Sequence, residues 1–479
     1  MSVESTLSSG RIRIIVVTVF AVALVVFWKS LVTGQVQEFD AAANLRSAIN
    51  LERNGVISDS ETAPFNPSME REPLPPLVGA VAIRIVDAVL GTADPSAYFA
   101  GERVRLLKYQ NMLWWMLLSG SVFAAARMLA LNFYRSLLCV FLTNLLLLSW
   151  GGRVYMMDSL YTEAPAAALL TLGSVLLSVG VTQSKLLLVG LAGLVFGLLA
   201  LVKAVFLYVT VGVAAAAAVL SLLQQRSVMV AIRQCIILCA VFAIAVGPWL
   251  LRNYATFAVF GISGRGGETL YTRGMMDRMM TMDEYVGGYY YWAPFPLNAA
   301  LRRILGYSRV DATQVGGRVQ RLNESSVSEF AAADFAAFLA GRPQDAITYL
   351  IQGAAEHVRL SHELESSGDK EPGVHSDALL KARGIKLVLA HPWKHVALTP
   401  LFLWRGAFFT FPLLAATFAW STRRGKLQLA LLTVPALGMV LFYALVSNFE
   451  PRYSLPSEPL ALCAAVALCA TLLDRLKSP

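Results

Sequence analysis

The chain has 479 residues, 56% of them hydrophobic and 15% charged, with a mean hydropathy of +0.58 and a formal net charge of +9. Apolar runs of membrane-spanning length recur along it, which excludes a soluble globule and indicates a polytopic membrane protein. The positive charge does not argue for a nucleic-acid partner. Its arginines and lysines gather in short loops between apolar runs (Arg11 and Arg13; Arg127 and Arg135; Arg226 and Arg233; Arg423, Arg424 and Lys426), which is the positive-inside bias and reports orientation.

In chain order the apolar runs are 14–31, 74–91, 110–129, 136–150, 164–180, 185–202, 204–223, 235–251, 396–420, 427–446 and 455–473. The first exceeds a signal-peptide core and lacks a small-residue cleavage site, so it reads as a retained span. If the basic clusters at Arg11/Arg13, Arg226/Arg233 and Arg423/Arg424/Lys426 are all cytoplasmic, an even number of crossings separates the first two, whereas seven runs lie between them. The run 74–91 carries Arg84 and Asp87 and follows Pro73-Leu74-Pro75-Pro76, so it reads as an interfacial or re-entrant helix. The expected fold is an all-α integral membrane protein with about ten to twelve transmembrane helices, juxtamembrane helices in a first outer loop, and a mainly helical outer insertion. The divisions are a membrane module over 1–251 with its first outer loop at 33–108, an outer loop domain over 252–395, and C-terminal spans over 396–479. All five cysteines fall in apolar runs, which argues against a disulfide framework or a thiolate metal site.

Ionisable groups collect at the ends of these runs. Asp40, just beyond the first span, suits either an N-terminal position in a juxtamembrane helix running to about Asn54 or a general base at the membrane surface. Met69-Glu70-Arg71-Glu72-Pro73-Leu74-Pro75-Pro76 is either a charged surface turn or a site segment in which Arg71 faces a phosphate. Asp158 and Glu163 lie at the outer mouth of a span, where an acid is expensive without a partner; Lys203 and Arg252 are the candidate partners. Arg252 and Arg452 sit at outer ends of spans, against the positive-inside bias, and serve either as snorkelling anchors or as phosphate ligands. His391 and His395 have the spacing of a helical metal site without an acidic third ligand, and also suit an interfacial helix start. The tyrosine-rich stretch 285–292 suits either sugar stacking or interface anchoring. No Walker loop, dinucleotide fingerprint or Gly-x-Ser-x-Gly turn is present.

Asp40 after the first span, Arg71-Glu72-Pro73-Leu74-Pro75-Pro76, Thr162-Glu163 opening a span, Gly197-Leu198-Leu199-Ala200-Leu201-Val202-Lys203, Pro248-Trp249-Leu250-Leu251-Arg252-Asn253-Tyr254 and Pro451-Arg452-Tyr453 follow one another in the order seen in polytopic glycosyltransferases of the GT-C type. The chain resembles the branch that holds protein O-mannosyltransferases and bacterial lipid A aminoarabinose transferases, over residues 14 to about 473. The resemblance implies a polyprenyl-phosphate sugar donor and a lipid, glycan or protein acceptor. It also implies a bacterial inner-membrane location with the site on the periplasmic, outer face, and Asp40 as the catalytic acid of the first outer loop. Arg71, Lys203, Arg252 and Arg452 then meet the donor phosphate. Glu70, Glu72, Asp158 and Glu163 orient acceptor or sugar hydroxyls, with a divalent metal cation as an optional cofactor. The chain departs from the relatives in carrying Pro75 where they often have tyrosine, and in flanking Asp40 with Phe39 and Ala41 rather than a second acid. The alternative reading is a carrier or flippase for a lipid-linked sugar, without transferase activity.

Overall fold

The computed structural model describes residues 18–37 apart from 20, 24, 27 and 28, then 40–147, 154–223, 227–323, 331–342 and 345–476. Arg11, Arg13, Phe39 and Arg226 lie outside them, as do parts of the first apolar run. Among the described residues the chain is helical, without a β-strand; one isolated bridge pairs Gln35 with Ala100.

The first outer loop holds α1 (Asp40–Asn54), α2 (Leu74–Leu90) and α3 (Glu102–Lys108). Alanine-rich α1 opens on Asp40, where the macrodipole favours an anion. In α2, Pro75 and Pro76 occupy the first turn, whose N–H groups have no helical acceptor in any case. The two helices pack closely, since a Cβ on Gly79 would stand 2.8 Å from that of Ala48. Ala41, Leu45, Ala48 and Ile49 of α1 join Ile83 and Val86 of α2 in a small core separate from the main one. Residues 74–91 thus form a short helix whose outward face exposes Val81, Ile85 and Val89.

The main core is built by α4 (Gln110–Met128), α5 (Phe133–Leu147), α6 (Glu163–Thr182), α7 (Leu186–Ala200), α8 (Phe206–Leu223) and α9 (Val228–Phe257), followed after the outer insertion by the C-terminal helices. The insertion consists of α10 (Gly266–Met279), α11 (Met282–Tyr291), α12 (Leu297–Ile304), α13 (Ala331–Leu339), α14 (Tyr349–Ser366) and α15 (Pro372–Ala390). It packs chiefly through α10 on α15 and α14 on α15. The last helices are α16 (Pro392–Ala407), α17 (Thr410–Arg423), α18 (Leu427–Val446) and α19 (Glu458–Leu476).

Among the described residues, five helical stretches are long and apolar enough to cross a membrane: α6, α8, α9, α18 and the segment Pro451–Thr471. The apolar run 396–420, expected as one span, is instead two helices, α16 and α17, meeting at 108°. Pro412 explains the break. Without an N–H it cannot bond back to residue 408, so it suits the first turn of a new helix. Helix α9 runs unbroken past residue 251 to Phe257.

Candidate active site at the outer end of the bundle

Asp40 sits where three distant parts of the chain converge. Arg71 donates to its Oδ1 at 2.7 Å, Arg265 to the same oxygen at 3.0 Å, and Arg452 to Oδ2 at 3.0 Å. Burial alone would raise the Asp40 pKa, but the three guanidiniums, Arg265 foremost, outweigh it and hold the carboxyl well below its ordinary range. Arg71 is 7% exposed and its Nε finds no hydrogen-bond partner among the described residues. Arg265, directly before α10, is half-exposed and lies toward solvent.

Local structure presents each arginine. The segment carrying Arg71 is fixed by Gly264 N–H donating to Met69 O at 2.9 Å and by Arg252 Nη1 donating to Ser68 O at 3.1 Å. Leu74 N–H donates to Leu201 O at 3.0 Å, tying the same segment to the end of α7. Arg452 follows a sharp turn in which Phe449 takes a positive φ of 41°. Its Nε donates to Glu450 at 3.0 Å, and its guanidinium lies 6.0 Å from the Tyr161 ring and 5.3 Å from that of Tyr453.

A second buried pair lies alongside. Lys203, in the break between α7 and α8, reaches Glu163 at the start of α6 at 3.1 Å, and its ammonium stands 5.9 Å from the Tyr453 ring. Glu72 Oε1 accepts from Ser263 at 3.4 Å and from Ala204 N–H at 3.5 Å, so it spans between the two groups. Glu70 shares a hydrogen bond with Asp59. That bond, with burial and repulsion between the two carboxyls, pushes Glu70 up to about 7 while Asp59 is lowered.

The structure therefore gathers Asp40, Arg71, Glu72, Glu163, Lys203 and Arg452, with Glu70 beside Arg71. Two expected site residues stand apart. Asp158 pairs not with Lys203 or Arg252 but with Lys108, at 2.5 Å, with Lys108 fully buried. Thr33 also donates to Asp158, through N–H at 2.8 Å and its hydroxyl at 2.7 Å, so the carboxylate clamps the exit of the first span to residues 156–163. Arg252 does not reach Asp40 or Asp158. Besides Ser68 O it donates to Asn253 at 2.8 Å and stacks over Trp249 at 4.6 Å. Its part is to hold the backbone that carries Arg71.

Arg265 and Lys108 escaped the sequence reading although each carried a signal. Arg265 is an outer arginine in the glycine-rich stretch 261–267, and Lys108 is a cation directly before an apolar run on the outer side. The exception to positive-inside bias that singled out Arg252 applies equally to both.

A small, mainly apolar cavity of about 30 Å³ adjoins the charged cluster, lined by Leu45, Val78, Trp114, Tyr161, Pro165 and Val202 among others. Tyr161 belongs to both, and Val202 precedes Lys203. The tyrosine-rich stretch does not line it. Tyr289 packs on Trp404 of α16 at 5.6 Å, and Tyr290 on Tyr307 within the insertion at 4.9 Å. His395 Nδ1 donates to buried Asp277 at 2.6 Å and is occupied there. Among the described residues no three His, Cys, Asp or Glu side chains are placed to hold a metal ion. Comparison with models of known protein families, with curated proteins and with solved structures finds no match.

Proposed function

We propose that this chain is a membrane glycosyltransferase that moves a sugar from a polyprenyl-phosphate donor to an acceptor hydroxyl at the outer surface of the membrane. The observation that carries the reading is the convergence of Arg71, Arg265 and Arg452 on Asp40. Cations from remote elements at one point suit a phosphate.

In this reading the acceptor oxygen attacks the anomeric carbon. The bond from that carbon to the phosphate oxygen breaks, its electron pair leaves with the prenyl phosphate, and the hydroxyl proton passes to Asp40. The anomeric centre inverts. The arginines meet the charge that develops on the departing phosphate. Glu72, Glu163 and Lys203 orient the sugar or the acceptor, and Glu70 stands at the mouth. Asp158 and Arg252 are structural. The GT-C arrangement of about ten to twelve spans, the bacterial inner membrane and the periplasmic location belong to the same proposal.

The test is purified protein in liposomes with a panel of prenyl-phosphate sugars and candidate lipid, glycan and protein acceptors, with products read by mass spectrometry. A new glycosidic bond that Asp40→Asn fails to form supports the reading. Wild-type transfer by a folded Asp40→Asn protein refutes Asp40 as base, and translocation of the donor without a new bond identifies a carrier instead.

A further inference from the structure

A carboxylate gripped by three guanidiniums is a feeble base as it stands, and this raises the question of what the grip is for. Arg71, Arg265 and Arg452 come from the first outer loop, the outer insertion and the C-terminal turn, and they meet on two oxygens. Guanidinium forks hold planar or tetrahedral oxyanions through paired N–H donors, and a phosphate monoester such as the departing prenyl phosphate offers three free oxygens, where a carboxylate or the sugar-bearing diester offers two. The fit to Asp40 is incomplete in a telling way. Arg71 is buried, yet its Nε donor has no acceptor among the described residues. A buried guanidinium N–H left unpaired is unfavourable, and an additional oxygen at this point would satisfy it. Glu450 takes the Nε of Arg452, so that arginine is held in place independently of Asp40. Arg265 is half-exposed at the solvent edge, where an incoming anion meets it first.

We propose that Arg71, Arg265 and Arg452 form a single oxyanion seat for a phosphate group, and that the Asp40 carboxylate occupies this seat in the resting protein as an internal stand-in that the incoming phosphate displaces. The assignment of that phosphate to a sugar donor rests on the transferase reading. The competition between Asp40 and an external phosphate does not. Displacement moves the guanidiniums from carboxylate to phosphate and returns Asp40 toward the basicity of an ordinary carboxylate. The base thus becomes available only once the seat is filled, which couples proton abstraction to occupancy without any further moving part.

The experiment measures equilibrium binding of farnesyl phosphate and, separately, inorganic phosphate to the full-length protein in nanodiscs. Removing the internal competitor with Asp40→Asn is expected to tighten farnesyl phosphate binding by about ten-fold or more, while Asp40→Glu, which keeps the competing charge, stays near wild type. Arg265→Gln is expected to weaken binding by about ten-fold. Should Asp40→Asn fail to fold, Arg265→Gln carries the test by itself, since its side chain lies at the solvent edge and outside the packed core. The same order of affinities with inorganic phosphate assigns the seat to the anion alone, and a response confined to farnesyl phosphate assigns it to a lipid-borne phosphate. Both support the seat. Unchanged or weaker binding by folded Asp40→Asn, or unchanged binding by Arg265→Gln, overturns it. If the affinities follow the expected order but no sugar is transferred, the transferase reading falls and the seat stands. Transfer without the affinity gain has the opposite meaning.

Discussion

Replacing Lys108 by methionine tests whether the Asp158 group is a structural clamp or a catalytic device. The Lys108 ammonium is fully buried and donates to Asp158 Oδ1 at 2.5 Å, to Gln35 O at 2.5 Å and to Thr33 O at 3.1 Å. Methionine preserves the length of the side chain but, among the described residues, leaves the Asp158 carboxylate with Thr33 alone as a donor, and removes the donor from two backbone carbonyls. Breaking a buried ion pair by removing one partner typically costs about 3–5 kcal/mol, because the survivor stays charged and buried. The remaining donors from Thr33 place the expectation toward the lower end, about 3 kcal/mol. Replacing both partners, as Lys108→Met with Asp158→Leu, is expected to recover a good part of that loss, since no unpaired charge remains. Reversible unfolding in mixed micelles, followed by tryptophan fluorescence, gives the comparison. If Lys108→Met unfolds within about 1 kcal/mol of wild type, or if Asp158→Asn abolishes transfer at unchanged stability, the clamp argument is wrong and Asp158 belongs with the chemistry.

Three further outcomes follow from the geometry. A Cβ at Gly267 would lie 1.9 Å from Asp377 O, so Gly267→Ala is expected to push α10 off α15, cost about 1–3 kcal/mol and displace neighbouring Arg265, lowering phosphate affinity as well as stability. The raised carboxyl of Glu70 favours the folded state fully below about 4.5 and loses that contribution as pH rises through about 7. Glu70→Gln is therefore expected to flatten thermal stability across that interval in a pH series and to exceed wild type above it. His375, raised chiefly by its hydrogen bond to Asp369 at 2.7 Å, also bonds Phe257 O at 3.2 Å and so links α15 to the end of α9. Protonated histidine stabilises that link below its ordinary titration range and the gain disappears as pH rises through the shifted value. Proteolysis of the 257–265 connection should accelerate with pH in wild type and be pH-independent in His375→Gln.

What was legible in the sequence was local. The helix from Asp40 to Asn54, the proline start of α2 and the acid opening α6 each depend on residues within a turn of one another, and each lies where the pattern put it. The sequence offered Lys203 and Arg252 alike as partners for Asp158 and Glu163, and of the two only Lys203 pairs with Glu163 among the described residues. The partner of Asp158 was not legible: Lys203 and Arg252 were the candidates and Lys108 was not among them, since the pairing depends on which helix ends the bundle brings together. Charge pattern narrows such a list without ordering it. The bend between α16 and α17 lay hidden in a long apolar run, where hydropathy is blind to direction and the sequence did not say which of Pro400, Gly406 and Pro412 marked a break; Pro400 lies inside α16.

The polarity of the bundle explains why so many charges can be packed in one place. Asn111 near the start of α4 donates to Met157 O and Ser159 O, and Glu163 opens α6, so the ends of both helices abut the charged cluster. Helix α9 ends beside it through Arg252, and α18 leads into Glu450 and Arg452. The opposite ends of α4, α9 and α18 carry Arg127, Arg233 and Lys426, the basic positions that the positive-inside bias would put on the inner side. Asp40 and its arginines are thus confined to one surface of the apolar layer. There, pairing reduces the desolvation penalty that the same groups would meet at mid-depth. A pathway through the membrane would need its ionisable groups strung along the helices, whereas the proposed reaction at the surface would need them gathered at one end.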